Sequence, residues 1–297
     1  MFAVASNPHL AICAIWLAGT FAPAGMANSS LPSVLADAYA QAWSPTRPTE
    51  FGAPSAEELA ATRELFVRLL RGEGAAALER QARLGGWTLR TGNQAGGTIT
   101  VVSEPPTTAR GRGLYAFFSR GRHALQAPHV PTDGLTGEIL LRFSADGLPR
   151  ALAWNTVPRS SADLAHLENT DFVRFALAFA EVHPGEKIMQ LHGFDTARRK
   201  SAAAAESGAI VSAAHANPSR ELRLAVQCLR GKLEPSTSLY GVDVRELGGT
   251  TNSIGRALRA AGHDNFIHVE MALALRKRLM ADAGQRSAWF SCLGDAS

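Results

Sequence analysis

Several absences narrow the reading of this chain. No dense run of lysine or arginine occurs, and basic clusters such as RLLR and ARRK are short. With a net charge of +4 over 297 residues, nothing resembles the basic stripe that follows a phosphate backbone, so nucleic acid is not an expected partner. There is no Gly-x-Ser-x-Gly elbow, which leaves a serine hydrolase of that type without its nucleophile turn. Cysteine is scarce: Cys13, Cys228 and Cys292 are the three, and their spacings to one another and to histidine match no zinc-binding pattern. No segment repeats at a period of 20–50 residues, which excludes a solenoid or propeller. The first residues, MFAVASNPH, carry no lysine or arginine.

What is present points to an exported globular protein. A hydrophobic content of 46% is ordinary for a chain with a sizeable core, and the length suits one large domain or two small ones. After MFAVASNPH runs an uncharged apolar stretch, too short for a comfortable membrane span, that ends in Gly25-Met26-Ala27. This pattern predicts a secretory signal over residues 1–27, cleaved after Ala27, leaving a periplasmic or secreted protein with no stable membrane insertion. In an oxidising compartment Cys228 and Cys292 can pair; as readily, they are two buried apolar residues.

Residues 28–106 read as an N-terminal helical and β-hairpin region. A polar, proline-rich lead precedes Ser55-Ala56-Glu57-Glu58, a capping box with Ser55 as N-cap and Glu58 at the third helical position. A second helix, AAALERQARL, stops at Gly85-Gly86, and WTLRT with GTITVVSE predicts a hairpin. Over 107–297, strand candidates (GLYAFFSRG, HALQAPHV, RALAWNTV, IMQLHGFD, and the start of FIHVEMALALRKRLMADAG) alternate with helix candidates (TDFVRFALAFAEVH, NSIGRALRAAG). GEILLRFSA fits helix or strand, ELRLAVQCL is ambiguous, and ARRKSAAAAESGAIVSAA reads mostly as helix or loop. The alternation predicts an α/β fold, a three-layer α/β/α sandwich with helices on both faces of a mixed sheet.

In such sheets functional groups gather beyond the carboxyl ends of the strands. HALQAPHV delivers His129, with Asp133 and Glu138 in the following loop; RALAWNTV delivers Asn155, Thr156 and Arg159; IMQLHGFD delivers His192 and Asp195; FIHVEM delivers Glu270. A hydrolytic zinc site needs three protein ligands, commonly two histidines and a carboxylate, plus a nearby carboxylate to take a proton from water. His129, Asp133 and His192 match the ligand types, and Glu270, alone in an apolar strand, matches the base. Bland readings stand beside these. His129 after Pro128 suits a strand-end histidine bonded to backbone, and Asp133-Gly134 is a common turn pair. Glu138 suits a helix start, and His192 an enclosed core histidine. His268 lies two residues before Glu270 on the same strand face and can orient it. His123, His166, His183, His215 and His263 fall in polar or loop contexts and are expected to be solvated.

The order APH-x3-D-x2-TGEI, then QLHGFD, then FIHVEMALALR resembles the zinc amidohydrolases related to carboxypeptidases, in particular phage-type poly-γ-glutamate hydrolases and N-formylglutamate amidohydrolases. The resemblance covers residues 111–280. It departs from the carboxypeptidase His-x-x-Glu pattern, since here the acid is Asp133 at a gap of three. It implies a carboxypeptidase-like sandwich, Zn2+ held by His129, His192 and an acid, and Glu270 as general base. Asp133 is favoured over Glu138 as the third metal ligand by its place before the Thr-Gly-Glu run. It also implies hydrolysis of an amide near a carboxylate, on a small peptide or acyl-amino-acid substrate, with Arg159 as the carboxylate anchor and Arg120 and Arg122 as weaker candidates. A non-catalytic periplasmic ligand-binding protein on the same fold is the alternative.

Overall fold

Ser55 opens its helix as the capping box requires. Its hydroxyl accepts from the Glu58 N–H at 3.2 Å, and the Glu58 carboxylate accepts from the Ser55 N–H at 2.7 Å. The computed structural model describes residues 33–295 apart from 46, 48, 95 and 96; the expected signal over 1–27 lies outside them. In chain order the elements are α1 (Ser33–Ala42), α2 (Ala56–Leu70), α3 (Ala75–Leu84), β1 (Thr88–Gln94), β2 (Gly97–Ser103), β3 (Leu114–Phe118), β4 (Arg122–Ala127), α4 (Thr136–Ala145), β5 (Pro149–Trp154), α5 (Asp171–Val182) and β6 (Ile188–Phe194). There follow α6 (Ala202–Ala205), β7 (Ala209–Ser212), α7 (Arg220–Lys232), β8 (Thr237–Leu239), α8 (Ser253–Ala260), β9 (Phe266–Ala272), α9 (Leu273–Ala281) and α10 (Ala283–Gly294).

The nine strands form one mixed sheet in the order β1-β2-β3-β5-β4-β6-β9-β7-β8. Strands β5, β4, β6 and β9 run parallel at its centre, the β1–β3 side is antiparallel, and β7 runs antiparallel to β9. Central parallel strands are covered on both faces and are therefore apolar nearly throughout. One face packs α1, α4, α7, α9 and α10 against residues such as Leu125, Met189, Leu191, Val269 and Met271. The other packs α2, α3, α5 and α8 against Tyr115, Phe117, Ala124, Ile188 and Phe266. This is the expected three-layer α/β sandwich.

Side chains alternate along a strand, so Ile188, Gln190 and His192 share the α5/α8 face, as do Phe266, His268 and Glu270 of β9. The parallel register sets Gln126 beside Gln190, Gln190 beside His268, and His192 beside Glu270. Three adjacent strands thereby bring their few polar residues to one face, near their carboxyl ends.

The N-terminal region and the rest of the chain share this sheet. β2 pairs with β3 from Ile99↔Phe118 to Ser103↔Leu114, and α2 lies along α5 in one apolar cluster. A buried arginine fastens the two parts. Arg112 meets Asp171 through two bonds of 2.8 Å, donates to the Gly85 carbonyl at 2.8 Å, and lies over the Trp87 ring at 4.6 Å.

Several segments take forms that the pattern left open or missed. GEILLRFSA is the helix α4, and ELRLAVQCL lies in α7, capped by Ser219. The stretch expected as helix or loop holds only the short α6 and then a fully buried strand, β7. Its apolar run is too short to show a period, and pairing with β9 and β8 decides its form. His123 is a correction: it is buried against Phe290, and its Nδ1 accepts from the Lys187 N–H at 3.1 Å. Burial pushes its pKa down to about 4, so it is a neutral core residue. Cys228 of α7 and Cys292 of α10 form a disulfide, with their Cα atoms 5.4 Å apart.

Candidate metal centre

β4 ends at Ala127, and the chain turns tightly over the next residues. The N–H groups of Thr132 and Asp133 both donate to the His129 carbonyl, at 2.9 and 2.8 Å. This single turn sets Asp133 beside His129. Leu135 takes a left-handed conformation (φ 74°) and lets α4 leave at once. From α9, Arg276 reaches across to donate from Nη1 to the Gly134 carbonyl and hold the turn from outside. Gly193 makes room for it: a Cβ there would lie 2.5 Å from Arg276 Nη1.

His192 arrives from β6 against that turn. Three atoms converge: His129 Nδ1 and Asp133 Oδ2 are 3.3 Å apart, His192 Nδ1 and Asp133 Oδ2 3.2 Å, and the two Nδ1 atoms 3.1 Å. Ligands held about 2.0–2.2 Å from a tetrahedral ion stand roughly 3.3–3.6 Å apart, close to this triangle. All three residues are buried.

The outer ring nitrogens say which atoms carry protons. His129 Nε2 lies 2.8 Å from Asp163 Oδ1, and His192 Nε2 lies 3.0 Å from Gln190 Oε1. An imidazole that donates from Nε2 presents a bare lone pair at Nδ1. Asp133 adds a carboxylate oxygen at the same spot. Two nitrogen lone pairs and an anionic oxygen pointing at one spot repel one another unless a cation sits among them. The donor set therefore fits a metal ion, and these residues form a group able to hold one.

Glu270 stands next to this group on β9, in register with His192. Burial and then the charge of Asp133 push its carboxyl up to about 8, against the pull of Arg199, Arg159 and Arg276. It lines a cleft of about 290 Å³ with His129, His192, Arg159, Arg245 and the 247–252 loop. That loop crosses His268 at Gly249, whose φ is 59° and where a Cβ would meet the His268 ring at 2.7 Å. His268 itself lies 3.9 Å from Glu270, too far for a hydrogen bond, and packs on the His192 ring at 4.5 Å instead. Burial holds it neutral.

The expected site residues thus divide. His129, Asp133, His192, Glu270 and Arg159 come together. Arg159 donates to Asp163 at 2.9 Å while facing the cleft. Glu138 does not join the converging atoms. It sits in the first turn of α4, half-buried and facing Tyr39, whose phenol is raised by burial and then by Glu138. Arg120 and Arg122 lie at the amino end of β4, about 20 Å of strand away from His129, and Arg122 pairs with Asp295.

Asp163 carried no sequence signal of its own. Asp163 accepts from His129 and Arg159 and contacts His166 Nδ1 at 3.0 Å; His166 Nε2 in turn lies 3.0 Å from the Thr251 hydroxyl. His166 is exposed, as expected, and also bonds at the cleft wall. Gln126 and Gln190 were visible as polar residues in apolar strands, at the alternate positions that His192 shares. No family model matches the sequence, and no curated protein matches it.

Proposed function

We propose that this chain is a zinc-dependent hydrolase that cleaves an amide bond near a carboxylate. The observation that carries the proposal is the convergence of three potential ligand atoms 3.1–3.3 Å apart, with the Glu270 carboxyl on the neighbouring strand and an open cleft over both. Two histidines and one carboxylate are a usual zinc donor set that leaves a position free. Bound there, zinc would supply Lewis acidity toward a water and a scissile carbonyl.

The remaining work falls to the chain. Glu270 would take the proton from the attacking water and pass it to the leaving amine. A cation held at His129, Asp133 and His192 would draw this carboxyl down from its metal-free value toward the ionised form that the first transfer needs. Arg159, at the cleft wall, would hold a substrate carboxylate through its fork of donors. Arg245 lines the same cleft, is exposed, and forms no ion pair among the described residues, so its charge remains available to an anionic substrate. Small peptides, γ-glutamyl peptides and N-acyl amino acids all carry such a carboxylate.

The Cys228–Cys292 disulfide, together with the apolar leader, supports a periplasmic or secreted location. Among the described residues no helix is long and apolar enough to cross a membrane.

The test is a zinc-replete assay over N-acyl amino acids, γ-glutamyl peptides and peptidoglycan fragments, run on wild type and Glu270→Gln. Hydrolysis should fall roughly 10²–10⁴-fold in the variant with metal content unchanged. A folded, metal-loaded wild type that hydrolyses none of these, while still binding one of them, would favour the non-catalytic binding protein instead.

A further inference from the structure

Behind the metal-facing residues runs a buried row of side-chain amides that the proposed chemistry does not use. Asn252 caps α8: its Oδ1 accepts from the N–H groups of Ile254 and Gly255, at 3.0 and 3.2 Å. Those are donors, so the oxygen must face them and the NH2 must point the other way. It meets Gln190 Oε1 at 2.5 Å. At the opposite end, Gln126 Nε2 donates to the Phe172 carbonyl at 3.3 Å, so its oxygen turns toward Gln190, where it accepts from Gln190 Nε2 at 3.0 Å. All three side chains are buried, and water does not compete for their groups.

Both ends of the row are thus anchored on backbone groups whose polarity cannot change. Together they allow the middle amide one orientation. Turning Gln190 over would set NH2 against NH2 at Asn252 and oxygen against oxygen at Gln126, two buried mismatches at roughly 1–3 kcal/mol for each unsatisfied group. With Oε1 fixed in place, the only complementary partner for it on the ring side is an N–H at His192 Nε2. Nδ1 is then the bare nitrogen, and it is the one that faces His129 and Asp133.

We infer that Asn252, Gln190 and Gln126 form a positioning relay that locks His192 in its Nε2–H tautomer and so presets the metal-facing lone pair before any metal arrives. The inference rests on the metal-site reading for its purpose, but its tautomer claim concerns the metal-free protein alone. A ring free to hold its proton on Nδ1 would place hydrogen where the ion belongs, and each binding event would first have to move it. Outer partners of metal-binding histidines commonly change affinity by about 10–100-fold.

Asn252→Asp separates the relay from folding. Aspartate caps a helix as well as asparagine does, yet it offers Gln190 a carboxylate oxygen in place of NH2. An ionised carboxylate against the Gln190 oxygen is a worse mismatch than the neutral oxygen that a reversed amide meets at Gln126, so the Gln190 amide should reverse and present its NH2 to His192. Gln190→Glu is the opposite case, since a carboxylate accepts from both Asn252 and His192 Nε2 and keeps the tautomer. The readout is the 15N–1H correlation spectrum of the imidazoles in metal-free full-length protein, with the His192 signals assigned by their loss in His192→Gln. Zinc affinity by chelator competition is measured alongside. Wild type and Gln190→Glu should show the Nε2–H form. Asn252→Asp should shift to Nδ1–H, with zinc binding weakened roughly 10–100-fold relative to wild type. Should Asn252→Asp fail to fold, Gln190→Met, which removes the acceptor at similar volume, should give a mixture of tautomers. A wild-type His192 in the Nδ1–H form, or an unchanged tautomer in every folded variant that breaks the row, overturns the inference. A wild type that is Nε2–H but binds no zinc leaves the relay standing and defeats the metal reading instead.

Discussion

At the residue scale the site is a matter of where protons sit. Asp163 takes the outer N–H of His129, leaving Nδ1 bare beside Asp133. Asp163→Asn keeps an acceptor but removes the charge that polarises the ring, and zinc affinity should fall by about tenfold or more in chelator competition. Glu270 makes a different prediction. In the metal-free fold its carboxyl is raised to about 8, whereas an unfolded glutamate titrates near 4.3. The folded state therefore holds the extra proton between these values, and the Glu270 contribution to stability falls as pH rises through that window. Glu270→Gln mimics the protonated form. Metal-free wild type and variant should unfold alike near pH 4, and by pH 8 the variant should be the more stable, by an amount on the order of a few kcal/mol. Denaturant titrations across that range check the sign. A third case is steric: Gly249→Ala adds a methyl group against the His268 ring at a positive φ, and should lower both melting temperature and zinc affinity by displacing the ring that packs on His192.

At the scale of elements, strand alternation and parallel register explain why so few residues build the site. One face of β4, β6 and β9 collects Gln126, Gln190, His192, His268 and Glu270, because each falls at an alternate position of a buried strand. That much was legible in the sequence: His192 and Glu270 were polar exceptions in apolar runs, and His129 and Asp133 followed a strand end. The capping box at Ser55 and the β1–β2 hairpin were legible for local reasons, since their signals lie within a few residues. The rest depended on distant pairing. β7 is four residues long and becomes a strand only because β9 and β8 flank it. Asp163 sits in a loop whose approach to His129, 34 residues earlier, has no local mark. Glu138 shared the acidic character of Asp133 but lies beyond the turn, where α4 carries it toward Tyr39. The tie between α2 and α5 was equally hidden. Arg112 and Asp171 are both about 1% exposed, and removing one partner leaves a buried charge. Asp171→Ala should cost about 3–5 kcal/mol in denaturant unfolding, whereas replacing both residues by apolar ones of similar volume should cost far less.

At the scale of the whole molecule, the N-terminal region completes the sheet and the three layers. The Arg112 node and the β2–β3 pairing make its unfolding cooperative with the rest, so a single transition is expected. The disulfide closes a loop of 64 residues between α7 and α10. Its loss should destabilise the metal-free protein by roughly 4 kcal/mol on the loop-entropy scale, seen as a lower melting temperature for Cys228→Ser/Cys292→Ser than for the oxidised wild type. The site, on the opposite face of the sheet from this bond, should keep its zinc affinity in the folded variant. The most direct measurement is the metal content of the folded protein after equilibrium dialysis against zinc. One zinc ion per chain is predicted, with the ion lost in His192→Ala and retained in Glu270→Gln. A correctly folded wild type that binds no metal, or one that keeps its ion when His192 is removed, would contradict the assignment of His129, Asp133 and His192 as a metal centre.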